Sequence, residues 1–205
     1  MQNACALIPL DANITDVSRI KYMEIRTGEY ISMDEFSNVI NLEYRVNKSF
    51  EGRYFMGHTP ALLLPFRTGG WAALFNPRGS GVNVYVNTIT VSNYCAVPFR
   101  ATVWLNAMPD GGQAVTTTAS VNATIQPPIW PAAAIVFGAG QPQVGQSLFT
   151  RVAGAQTTEV GNYYGKIILP PGGSVLVQLP GLVQGAQAEV AFGWWEEDIA
   201  EGKTK

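Results

Sequence analysis

His58 is the only histidine in the 205-residue chain, so any charge-relay or cysteine–histidine mechanism would have to run through it. It stands between Gly57 and Pro60, in a stretch that reads as a turn. No serine sits in a G-x-S-x-G elbow. Metal chemistry fares no better, because the chain has no C-x-x-C, no second histidine and no EF-hand spacing. The acidic run Glu196, Glu197 and Asp198 holds adjacent carboxylates, which at a strand end read as a solvated terminus. Gly138 and Gly140 lack the third glycine of a dinucleotide fingerprint, and no phosphate loop is present. The sequence therefore predicts a protein that is not an enzyme, with no metal and no cofactor.

Two other residue types are able to act by contact rather than by reaction. Cys5 and Cys95 are the only cysteines. They read either as small buried hydrophobes or as a pair joining one subunit to the next, Cys5 lying in a leader and Cys95 just after the alternating stretch that ends at Asn93. The five tryptophans and eight tyrosines include candidates for a sugar-stacking platform. Alternation places Trp194 with Phe192 on a core face and turns Trp195 away from it, while Trp130 falls in a proline-rich loop. Trp195 and Trp130 are thus the aromatics expected to meet something outside the fold, a glycan among the options.

These residues need elements to hold them, and the clearest lies between Gly79 and Asn93. Val82, Val84 and Val86 alternate with Asn83, Tyr85 and Asn87, the period of a half-buried strand. Beyond Thr88 the apolar face continues at Ile89 and Val91, so near Asn87 the strand must hold a bulge or change sheets. From Gly52 onward, turn residues recur at short intervals (Gly57, Pro60, Pro65, Gly69, Pro77, Pro98), separating short apolar segments. No long segment of helical period competes with them. The predicted class is all-β, a jelly-roll-like two-sheet sandwich over 51–198 with a frayed tail at 199–205. Its core is expected to contain Val82, Val84, Val86, Val103, Leu105, Val175, Val177, Val190 and Phe192. Pro109, Asp110 and Gly111 are expected to close a hairpin, and residues 113–147 to form a long loop or exposed edge.

Composition bounds the partners. Apolar residues make up 47% of the chain and charged residues only 14%, sparse cover for a free monomer. A net charge of −2 without a Lys/Arg cluster argues against nucleic acid. No apolar run reaches membrane-spanning length, and the first residues lack the basic start of a signal peptide. Residues 1–50 read as an N-terminal extension or connector with one or two strands, one of them the alternating stretch 39–46. Within residues 1–17, Leu7, Ile8 and Leu10 form an almost uncharged apolar segment, suited to completing a neighbour's open sheet edge and so linking copies into a homo-oligomer or filament.

The segments at 71–77, 80–87, 103–106, 168–173 and 192–197 together resemble a family of uncharacterised proteins from spore-forming Firmicutes. More weakly, the chain resembles endospore appendage subunits, jelly-roll sandwiches that polymerise through an N-terminal connector carrying cysteines. Phage decoration and fibre proteins share the same architecture. The resemblance implies a structural, self-assembling subunit of a spore-surface or extracellular fibre or coat, with a prophage-derived virion protein or a carbohydrate-binding sandwich as alternatives.

Overall fold

The computed structural model describes residues 43–107, 112–114, 118–142 and 144–199. Leu7, Ile8, Leu10 and Cys5 lie outside the described residues, as do Pro109 to Gly111 and the tail from 200 onward. The described chain is a sandwich of two six-stranded antiparallel sheets with one short helix. Its first sheet contains β1 (Tyr54–His58), β2 (Leu62–Leu64), β4 (Val82–Asn93), β7 (Thr118–Ser120), β10 (Thr158–Leu169) and β12 (Ala186–Asp198). β12 lies at its centre, paired with β4 along one side and with β2 and then β1 along the other. The second sheet runs β6 (Gln113–Ala114), β8 (Ala134–Ala139), β3 (Gly70–Phe75), β11 (Ser174–Leu179), β5 (Phe99–Leu105) and β9 (Gln146–Ala153). From β2 to β5 and again from β9 to β12 the chain steps between sheets at every connection, as in a jelly roll.

The anchor strand behaves as its valines dictate. β4 stays in one sheet, and its buried face changes phase at Asn87 and Thr88, where both neighbours lose register. Against β12, Asn87 is the extra residue, since Thr88 pairs with Gly193 and Val86 with Trp194. Against β10 the extra residues lie on the other strand, with Tyr163, Tyr164, Gly165 and Lys166 opposite Asn87. Side chains from both inner faces meet in one core, including Phe55, Leu74, Val84, Val86, Ile135, Leu169, Val177, Val190, Phe192 and Trp194. The expected core residues all belong to it, Leu105 at its margin.

Buried asparagines close both ends of β4. Asn76 donates from Nδ2 to the carbonyls of Val82 and Leu169, at 2.8 and 2.9 Å. Asn93 donates to Val97 and Gly154, at 2.9 and 2.7 Å, and its Oδ1 accepts the Cys95 amide. Each ties together loops that would otherwise bury unpaired carbonyls.

Several expectations are corrected. Residues 44–46 are not strand: α1 (Tyr44–Phe50) is a helix packed on the first sheet. Its Tyr44, Asn47, Lys48 and Glu51 share one face, with Asn47 and Lys48 bonded to Glu51, and that i, i+3, i+4 pattern overrides the alternation. No hairpin joins β5 to β6, because three strands separate them in the second sheet. Local turn chemistry reverses a chain but does not choose its pairing partner. Stretch 113–147 is not simply a loop either, since β8 pairs with β3 along its whole length and buries Ile135.

Candidate functional site

Two long strands end the sheets on the same side. β9 borders the second sheet and β10 the first, joined by a tight connection whose Gln156 amide bonds the Cys95 carbonyl. Among the described residues, β9 pairs only with β5 and β10 only with β4. Leu148, Val152, Val160 and Ile168 stand exposed along them. Arg151 of β9 reaches Glu159 of β10 at 3.3 Å, and Phe149 stacks on Tyr163 at 5.8 Å, so the two edges are held in step. At the opposite side the border strands among the described residues are the short β6 and β7. A long, apolar, unpaired edge is what soluble proteins usually blunt, and the described residues present one in each layer.

Trp195 does not project outward. It lies on the face opposite Trp194 as alternation requires, yet it is only 4% exposed. Its ring stacks on Tyr85 at 5.3 Å and meets Tyr44 edge-on, while Nε1 donates to Glu197 at 2.9 Å. Gly165, at φ +76°, lies so close that a Cβ there would collide with the indole. The cover comes from α1 and from the widened part of β10, where Arg45 sits over the Tyr164 ring and bonds Asn87. Sequence alternation gave the face correctly and could not show that a helix and a bulge close over it.

This cover sets a pH response. Burial, and the hydrogen bond it donates to Glu197, hold the Tyr44 hydroxyl well above the ordinary tyrosine range. Burial and the same carboxylate raise Tyr85, and burial raises Tyr163. A hydroxyl that keeps its proton more tightly when folded contributes stability below the unfolded value, and the contribution fades as pH climbs toward the folded one. Melting temperature should therefore fall from about pH 10 upward. A Tyr44→Phe variant should show a shallower fall, and a flat profile in the native chain would contradict this account.

Glu196 is the residue that motif reasoning misplaced. Rather than a solvated terminus, it is a carboxylate 5% exposed, and Asp198 still belongs to β12. Its oxygens accept the Ala132 and Ala133 amides, each at 2.9 Å, and the Trp194 indole at 3.1 Å. The carboxylate thereby pins the loop before β8. Asn122 and Ser120 bond the carbonyls of Phe50 and Gly52, fixing the loop's other end. At its crown Trp130 is 73% exposed. No sequence signal short of knowing the register of β12 would have revealed this anchoring.

The remaining candidates are plainer. Cys95 is 8% exposed, with Sγ 3.5 Å from the Gln187 carbonyl. His58 ends β1 instead of sitting in a turn, and its Nδ1 lies 3.1 Å from Glu189. Among the described residues, no group of His, Cys, Asp or Glu is placed to hold a metal ion, and no helix is long and apolar enough to cross a membrane.

What the geometry of the described residues defines is an antiparallel β-sandwich with an apolar side unpaired among them and an exposed indole on a loop anchored at both ends. Over residues 29–201 the chain matches a family of unknown function, DUF6143, and it belongs to that family. No curated protein and no solved structure matches it.

Proposed function

We propose that this chain is a structural subunit that associates with copies of itself, the apolar N-terminal segment of one copy lying along the open sheet edge of the next. The observation that carries the reading is the open side itself, where β9 and β10 expose Leu148, Val152, Val160 and Ile168 in two adjacent layers. Added backbone would complete a ladder there, with Ile8 and Leu10 on one face of the added strand and Leu7 on the other. Such a contact joins different surfaces of the two copies and does not close on itself, so repetition yields a filament. The low charge of the chain accords with faces that neighbours cover. The resemblance to spore-former proteins and appendage subunits favours a spore-surface or extracellular setting, with a virion decoration protein as the alternative home for the same assembly.

Cys95 is buried beside the Gln187 carbonyl of β12, so a Cys5–Cys95 bridge between copies would require its thiol to come to the surface, and the joint proposed here rests on backbone pairing instead. Deleting residues 1–17 and weighing the product by light scattering tests the reading. Collapse from a many-copy assembly to single copies is expected, and an unchanged mass distribution would remove the connector.

A further inference from the structure

The strands run between two ends of the sandwich, and the two most conspicuous apolar features lie at opposite ones. At the end where β12, β5 and β10 finish, the pinned loop before β8 raises Trp130 into solvent. Toward the other end, where β5 begins and β11 finishes, a cleft of about 470 Å³ opens on the outer face of the second sheet. Pro98, Val152, Pro180 and Leu182 line it with apolar surface. Arg100 and Gln178 add the polar groups. Among the described residues Arg100 makes no ion pair, so the cleft joins apolar walls to an uncommitted guanidinium.

We propose that the cleft receives Trp130 of a second copy, so that copies stack end to end along the strand direction. This rests on the self-association reading above and adds a second contact to each joint. Three properties point to an indole as occupant. The cleft has room for the largest side chain, whose burial removes roughly 150–250 Å² from water. Arg100 supplies a cation for the indole face, an attraction strongest for tryptophan. The loop bearing Trp130 is already fixed by Glu196, Ser120 and Asn122, so little ordering entropy is lost when it docks. A knob at one end and its socket at the other form a heterologous contact, which propagates instead of closing.

The full-length chain tests this with Trp130→Ala, which keeps the socket, and Leu182→Asp, which keeps the knob. Both positions are exposed, and circular dichroism with a thermal melt checks that each variant folds. Each alone should need at least a tenfold higher concentration to reach half-assembly, measured by sedimentation velocity. Mixed in equal amounts, at a concentration where neither assembles alone, they should form pairs of one copy each, since one intact knob meets one intact socket. Wild-type assembly by Trp130→Ala, or a mixture no heavier than its parts, would overturn the proposal. If that variant assembles normally but loses binding to a glycan array, the indole belongs to a sugar instead. Deletion of residues 1–17 separates the two readings: collapse on deletion with normal Trp130→Ala assembly leaves the connector standing without the socket. A native chain that stays single at every concentration would defeat both.

Discussion

Replacing Phe192 with alanine should lower the unfolding free energy by about 3–5 kcal/mol, the range for emptying a fully buried aromatic site. The residue is 1% exposed and sits on β12, the strand that three neighbours hold at the centre of the first sheet. It pairs with Ile89 across one interface and Gly57 across the other, and its ring enters the core shared by both layers. Strand β12 cannot shift to refill the space, because moving it would break pairing on both sides. Two-state unfolding in urea would show a lower midpoint with the same slope. A loss under about 1 kcal/mol would mean that the site collapses, contrary to a core fixed from both sheets.

Glu196→Ala should rank next, at about 2–4 kcal/mol, since removing an acceptor from a buried donor costs roughly 1–3 kcal/mol per group left unpaired. Three donors lose their partner, the Ala132 and Ala133 amides and the Trp194 indole, and loop relaxation toward water recovers part of the cost. Glu196→Gln keeps one carbonyl oxygen and turns a donor toward donors, so it should fall between native and alanine. Hydrogen exchange supplies the local check, as the Ala132 and Ala133 amides should exchange much faster in either variant while those of β4 keep their order of protection. Unchanged protection at both alanines would show that the carboxylate does not hold the loop.

How far the sequence foretold the architecture depended on whether the partners of a residue lay nearby. The valines of β4 and the phase change at Asn87 could be read directly, because a period of two records which face is buried and a break in it records a bulge. Phe192 and Trp194 followed from the same rule. By contrast, α1 is seven residues long, short enough that alternation and helical spacing both fit it, and contact with the sheet decided. β8 looked like loop because its neighbours are proline and glycine, yet pairing with β3 makes it a sheet strand. Of the candidate site, Trp130 was visible as an apolar residue without a strand to bury it. The closing of Trp195 by α1 and the capture of the loop by Glu196 join residues far apart in the chain, and no local pattern encodes them.

The place of β12 bears on how the molecule is made. The last of the described strands is the middle strand of its sheet, between β4 on one side and β1 and β2 on the other. Until β12 emerges from the ribosome, the first sheet is split in two, and β1, β2 and β4 face each other across a gap. During that interval the nascent chain carries open strand borders over apolar cores, the condition in which unfinished β proteins join one another wrongly. The gap closes only when β12 itself emerges, so completion of the sheet is a late event dominated by distant contacts, and such topologies fold slowly. A chain in which β12 has not yet docked lacks both the pairing that joins the two halves of the first sheet and the Phe192 and Trp194 side chains that fill the core.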